Sequence, residues 1–396
     1  MRILLADDDR ITRLRLEAYL RDWGHEVLSA ADGEQAWSMF QEQAPWLVIS
    51  DWQMPGMDGL ELVRAIRQSA QPGGYVYTIL LTSRSAKTDL VVGMEAGADD
   101  FIAKPFDKGE LRVRIRAGER VVRLERELAE RNTELTTVND RMRESLKAAA
   151  RIQQAFLPKP ETTFEGLRAA WCYLPCEELA GDTLNILALD SQNVCFYIAD
   201  VCGHGVASSL LSVMLSRLLS SGTGGEGVLV RHNPVDDSVE IVPPAEVVRN
   251  LNDRFPWNPE AMEYFTIFYG IYNSAARELS YVCAGHPPPI LVPPSGPPSR
   301  LVADPPAVGL LPNAEFPEHR LQLAPGDRVF AFTDGIVESL GTADEEFGEA
   351  RLVASVSAPR LADLPGSISA VIQDVDAWRA GADPADDQCI IGVEAQ

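Results

Sequence analysis

The sequence repeatedly places aspartate where a short apolar run ends. Asp7 and Asp8 follow "RILLA", Asp51 closes "WLVISD", Thr82 ends "YTILLT", and Lys104 follows "DFIA". If these runs are neighbouring strands, three carboxylates meet and repel one another unless a cation joins them. An all-oxygen donor set without Cys or His favours a hard ion, Mg2+ above all. A hydroxyl and an ammonium beside such a carboxylate suit it to carry a phosphoryl group. A second set lies further on: Asp182 in "AGDTLNI", Asp200 in "IADVCGHG", Asp334 in "FAFTDGIVES", and Asp386 and Asp387 in "ADDQCIIGV". Each stands at the edge of a strand-like run, and glycine recurs beside them. Glycine lets a backbone turn tightly and approach an ion closely. Aspartates from separate strands can then converge on two metal ions, which position and deprotonate a water for in-line attack on phosphorus. The hard-ligand argument again points to Mg2+ or Mn2+. No Cys or Ser nucleophile is required.

Three kinds of segment must position these groups. Over residues 1–106 apolar runs at 2–6, 46–50, 77–83 and 100–106, and one within 25–33, alternate with helical patterns at 13–24, 33–43 and 59–70. That alternation predicts an α/β doubly wound parallel sheet, covered on both faces. Residues 107–157 contain no proline before Pro158 and are rich in Arg, Glu and Leu. Val121, Leu128, Leu135, Met142 and Ala149 recur every seven residues, with Leu124, Val138 and Ile152 three places after members of that series. This is a coiled-coil pattern, interrupted by Arg131 and Ser145, and it predicts a homodimer. "LPKP" ends the helix. The remainder is strand-rich, with helices expected at 205–221, 244–255, 348–357 and 363–380. It predicts an α+β domain built on two packed sheets flanked by helices. Residues 220–244, glycine-rich and then polar, read as a long flap over one face. The expected domains are 1–120, 121–158 and 159–396.

The first region, with its acid pair, "DWQMPGMDG", "TS" and "KPF" in order, closely resembles a two-component receiver domain. The resemblance implies a flavodoxin-like fold with Asp51 as phosphoacceptor and Asp7, Asp8 and Asp51 around Mg2+. It also implies Thr82 and Phe101 as the switch pair, Lys104 as the phosphate contact, and a cis Lys104–Pro105 bond. The order GD, DVCGHG, AGHPPP, FTDG, EEFG, DDQ resembles the SpoIIE-type branch of the metal-dependent (PPM, type 2C) protein phosphatases, and "ARIQQAFLP" resembles the linker ahead of such domains. On this resemblance Asp182, Asp200 and the Val201 carbonyl hold one Mn2+ or Mg2+. Asp200, Asp334 and either Asp386 or Asp387 hold the other. Gly203, His204 and Gly335 are auxiliary, His204 standing open between proton donor and loop brace; His286 reads as a turn residue and Arg254 as a solvated helix residue. Departures from the family pattern are Ala180 before Gly181-Asp182, Asn185 in place of a second Asp, Cys202 for serine, and Gln388-Cys389 after the acid pair.

The resemblance implies a response regulator. A cognate sensor histidine kinase or phosphotransfer protein phosphorylates Asp51, and this controls hydrolysis of phosphoserine or phosphothreonine on a protein such as an anti-sigma-factor antagonist, in a bacterial stress or sigma-factor pathway. The alternative is a catalytically weak or inactive phosphatase fold that serves as a phosphorylation-regulated binding adaptor for a sigma factor or its regulators. Composition narrows the field. A net charge of −23 argues against a nucleic-acid surface, which relies on Lys and Arg. No apolar run reaches the ~18–20 residues of a membrane span, and the N-terminus lacks a signal-peptide pattern, so a cytoplasmic protein is expected. Six cysteines without paired CxxC spacing read as free thiols rather than a zinc site.

Overall fold

The structure is a computed structural model that describes all residues except 70–73, 84–90, 92, 204, 221–227, 233–238, 257–263 and 359–362. The chain divides into two compact units, Met1–Arg141 and Met142–Gln396.

In the first unit five strands, β1 (Arg2–Ala6), β2 (Glu26–Ala30), β3 (Leu47–Asp51), β4 (Tyr77–Thr82) and β5 (Asp100–Ala103), pair in parallel in the order β2-β1-β3-β4-β5. Alternate residues of β1 enter different cores. Ile3 and Leu5 pack with Leu16, Leu20 and Leu111, whereas Leu4 and Ala6 pack with Phe40, Leu62 and Ile66. Both faces are covered, so the strands read as unbroken apolar runs. Helices α1 (Arg10–Asp22), α2 (Gly33–Gln43) and α3 (Gly59–Gln68) are each capped by an aspartate, Asp9, Asp32 and Asp58. The third acid of "ADDDR" is therefore a cap, which starts α1 three residues before the apolar pattern does. Strand β5 stops at Ala103, and the Lys104–Pro105 bond is cis.

One helix, α4 (Lys108–Gln154), runs from the first unit into the second. Its early turns bury Leu111, Ile115 and Val122 against the sheet. Beyond them the heptad positions Leu124, Leu128, Leu135, Val138, Met142 and Ile152 are all exposed.

The second unit is a β-sandwich. One antiparallel sheet runs in the order β16 (His319–Gln322), β13 (Glu278–Ala284), β12 (Phe265–Asn273), β9 (Asn193–Val201), β8 (Thr183–Ala188). The other runs β15 (Ser299–Arg300), β14 (Ile290–Val292), β17 (Arg328–Phe332), β18 (Gln388–Ala395), β7 (Leu167–Leu174), β6 (Glu161–Phe164). Phe196 and Ile198 of β9 point between the sheets with Phe268, Ala331 and Ile391. Cys195, Tyr197, Ala199 and Val201 point the other way, against α5 (Val206–Leu218) and α6 (Pro244–Arg254). The second sheet's outer face is covered by α8 (Gly348–Val356) and α9 (Leu364–Arg379), through Leu352, Ile368, Val371 and Val375.

One expectation is corrected. The stretch 220–244 is not simply a flap. Val230–His232 and Val239–Ile241 form an antiparallel hairpin, and Val228, Leu229 and Val242 are buried in the core beside α5 and α6. Three apolar side chains removed from water anchor it at about 1.5–3 kcal/mol each. Residues 221–227 and 233–238 lie outside the described residues.

Candidate functional site

In an open parallel sheet the crevice lies outside the strand ends where the order reverses, here between β1 and β3. Carboxylate oxygens of Asp7, Asp8 and Asp51 meet there within 4.8 Å of one another. Asp7 is fully buried and Asp8 exposed. The Lys104 ammonium donates to Asp7 Oδ2 at 2.9 Å and to Asp51 Oδ2 at 2.8 Å. Burial raises the Asp7 carboxyl above its usual range despite that ammonium. Burial works against the charged form of Lys104 too, but its hydrogen bonds to Asp51 and Asp7 outweigh this and raise it. Thr82 closes β4 and its carbonyl accepts from the Lys104 N–H at 2.7 Å. Phe101 is half-buried beside Trp52, Leu60 and Leu80. Arg13, which the sequence pattern did not single out, ties the loop by donating to the Asp7 carbonyl at 2.5 Å.

The second set converges across both sheets. Asp182 precedes β8, Asp200 is the penultimate residue of β9, and Asp386 and Asp387 precede β18. Asp334 is not on a strand: β17 ends at Phe332, and Asp334 opens a short turn, α7 (Asp334–Val337). Asp200, Asp334 and Asp386 line one cavity of about 280 Å³ with Val201, Cys202, Gly203, Tyr264, Thr266 and Ala385. Among these lining residues none is basic. Asp182 is buried and is not among the lining residues. Burial, then Asp334 and Asp386, push Asp200 up to about 7. Burial and Asp200 raise Asp182, and burial and Asp386 raise Asp334. Carboxylates crowded in this way relax by taking up protons or a cation. Oxygen donors alone fit a hard divalent ion.

Glycine stands at two close approaches. A Cβ on Gly181 would stand 3.0 Å from the Val201 carbonyl oxygen, and one on Gly335 would stand 2.1 Å from the Asp387 carbonyl oxygen. The Asp182 and Asp200 segments therefore touch backbone to backbone, as do the Asp334 turn and the acid pair.

Asp386 and Asp387, left open by the sequence, face different tasks. Asp387 is buried and its oxygens accept backbone N–H groups of Cys176 at 2.9 Å and Gly181 at 2.7 Å. Asp386 is exposed to the cavity. Asp387 braces the loop that carries Asp182. Cys176 lies close to both acids, but burial and Asp387 push its thiol up to about 12, which opposes a thiolate site. All six cysteines are free.

Other residues carry the site without a motif to announce them. The Thr333 hydroxyl accepts from the Cys389 N–H at 3.0 Å and donates to Asp182 Oδ2 at 2.7 Å. Gln153, in the last turn of α4, is buried. Its amide donates to the Ala180 carbonyl at 2.7 Å and to Ser212 Oγ at 2.8 Å, and accepts from the Ala180 N–H at 3.3 Å. Asn185, where a second acid was expected, donates to the Phe156 carbonyl at 3.1 Å. The His286 ring is buried, bonded to Thr266 Oγ1 at 2.8 Å, and kept neutral by burial, which lowers it to about 3. Arg254 is exposed at the end of α6, and His204 lies outside the described residues.

Residues 190–396, just over half of the chain, match the family described as Stage II sporulation protein E (SpoIIE). The chain belongs to the SpoIIE family. Residues 3–116 match the response regulator receiver domain, so a receiver is fused here to a SpoIIE-type domain. The receiver is 44% identical over 115 residues to the transcriptional regulatory protein AfsQ1 of Streptomyces coelicolor, covering 29% of this chain and 49% of that one. A 225-residue stretch is 28% identical to Protein IcfG of Synechocystis sp., covering 54% of this chain and 36% of that one. The chain spans about half the length, or less, of these curated relatives. In fold, the SiaA-PP2C domain of Pseudomonas aeruginosa matches 65% of this chain and 99% of its own, with a TM-score of 0.55 at 17% identity. The receiver sheet followed by a PP2C-like β-sandwich is thus the fold expected from the sequence. Among the described residues no helix is long and apolar enough to cross a membrane.

Proposed function

We propose that this SpoIIE-family member is a response regulator whose output is a metal-dependent serine/threonine protein phosphatase. Its parts would be the receiver over 1–120, the linker over 121–158 and the phosphatase domain over 159–396. The observation that carries this reading is the convergence of Asp182, Asp200, Asp334 and Asp386 from four separate segments, three of them on a cavity with no basic lining residue. A purely structural cluster of this kind would cost stability without return. Asp182, Asp200 and the Val201 carbonyl would hold one divalent ion, and Asp200, Asp334 and Asp386 the other. Two Mn2+ or Mg2+ ions bound there supply a nucleophilic water at neutral pH and neutralise charge on the phosphoryl group. The chain's own residues orient the ligands: Thr333 holds Asp182, and Asp387 holds the Gly181–Asp182 backbone.

In the receiver, Asp51 is the phosphoacceptor in this reading. Asp7, Asp8 and Asp51 hold Mg2+, Lys104 contacts the phosphoryl group, and Thr82 and Phe101 respond to it. The phosphodonor is a histidine kinase or phosphotransfer protein. The phosphatase substrate is a phosphoserine or phosphothreonine protein, an anti-sigma-factor antagonist being the class implied by the resemblance. Coupling runs along α4, because Gln153 grips the residue two places before Asp182. The exposed heptad stripe of α4 pairs with a second copy. An adaptor without turnover is the competing reading, and Asn185 favours it by supplying no carboxylate.

The deciding experiment is Mn2+-dependent hydrolysis of a phosphoserine-bearing antagonist protein by the full chain, with Asp200→Ala as control and with or without beryllofluoride on Asp51. Turnover lost in Asp200→Ala and changed at least severalfold by beryllofluoride is expected. Partner binding without turnover under any divalent metal supports the adaptor instead.

A further inference from the structure

Gln388 opens β18 and is almost completely buried, followed by the buried apolar residues Cys389, Ile390 and Ile391. A buried amide is costly unless both its ends are hydrogen-bonded. Here one end is. Nε2 donates to Ser339 Oγ at 2.8 Å and, more weakly, to the Gly335 carbonyl at 3.4 Å, while Oε1 has no partner among the described residues. The Gly335 carbonyl can only accept, which places the amide nitrogen on that side. Ser339 Oγ in turn donates to the Gly335 carbonyl at 2.7 Å. The amide thus reaches from the start of β18, directly after the acid pair, to Gly335 within the turn carrying Asp334 and to Ser339 just beyond it. That turn already abuts the acid pair, since Gly335 has no room for a Cβ against the Asp387 carbonyl.

An apolar side chain of similar volume would fill the same space without stranding a carbonyl oxygen. Stability alone therefore does not account for the amide. We infer that Gln388 and Ser339 are positioning residues, an amide–hydroxyl clamp that fixes the separation of the Asp334 and Asp386 carboxylates. The inference rests on the reading of that cavity as a divalent-metal site. The clamp acts on the ligands through the backbone of the Asp334 turn and touches no reacting atom.

The test uses the full chain as wild type, Gln388→Leu, Ser339→Ala and the double variant. Mn2+ binding is followed by the electron paramagnetic resonance of free Mn2+, and metal-free stability by thermal unfolding. The clamp requires Gln388→Leu to weaken one Mn2+ site by about tenfold, the scale seen for groups that orient metal ligands, with its metal-free melting temperature unchanged or higher. Ser339→Ala should weaken the same site, and the double variant should bind no worse than Gln388→Leu, since the two side chains act as one unit. A lower melting temperature with unchanged Mn2+ affinity marks the amide as structural and overturns the inference. Variants indistinguishable from wild type in both measurements overturn it as well. A wild-type chain that binds no Mn2+ overturns the metal reading itself, which separates that failure from a failure of the clamp alone.

Discussion

At the scale of single residues, protons and the proposed divalent ions would compete for the same oxygens. Asp200 titrates near 3.8 when unfolded but is pushed up to about 7 by burial and by Asp334 and Asp386. Between those values the folded metal-free chain holds a proton that the unfolded chain has released. Stability therefore falls as pH rises through that window, by about 1.4 kcal/mol per pH unit from this group. Thermal unfolding of the metal-free protein should show a falling melting temperature from about pH 4 to pH 7, flattened in Asp200→Asn. Mn2+ added near pH 6 should release protons, measurable in weakly buffered solution. Thr333→Val removes the donor to Asp182 and strands the Cys389 N–H, so it should cost about 1–3 kcal/mol in chemical denaturation and weaken Mn2+ binding. The division of labour between Asp386 and Asp387 was not legible in the sequence. Adjacent residues before a strand point to opposite sides, and only the folded positions of Cys176 and Gly181 decide which carboxylate is consumed by backbone donors. Thr333 was equally silent, because a threonine before aspartate looks like an ordinary cap. It makes no side-chain cap bond here, its hydroxyl being spent on Asp182.

At the scale of elements, the sandwich strands and the receiver strands were legible for different reasons. Receiver strands are short apolar runs between aspartate-capped helices, and the caps mark the boundaries. In the sandwich, β9 is apolar on both faces because helices cover one and the second sheet the other. The hairpin within 220–244 was missed because its glycine-rich and polar surroundings outweighed two three-residue strands. A period-two pattern that short carries little weight against its flanks. The long helix was plain from its composition, but its end was not: Gln153 looks like one more polar residue on a solvated helix until Ala180 and Ser212 close around it. Gln153→Ala should leave the Ala180 groups and Ser212 short of partners and cost about 1–3 kcal/mol. It should also reduce the response of turnover to beryllofluoride more than turnover itself, read by parallel assays with and without the mimic.

For the molecule as a whole, the sequence declared the order of parts better than their wiring. The acid pair, "KPF" and the separated aspartates each belong to one unit, so each could be recognised alone. What links them is a helix whose residues 127–145 are all exposed. Leu128→Arg combined with Leu135→Arg should leave both units folded and shift the chain toward monomer in sedimentation velocity. The same pair should abolish or strongly reduce any change in turnover caused by beryllofluoride if the signal passes through a paired helix. If the bare stripe pairs two copies, as proposed, the pairing obeys mass action. While monomers predominate, the population of paired chains grows with the square of their number. Doubling expression would quadruple the paired form, so cellular abundance would set the gain of the circuit before any phosphoryl group arrives.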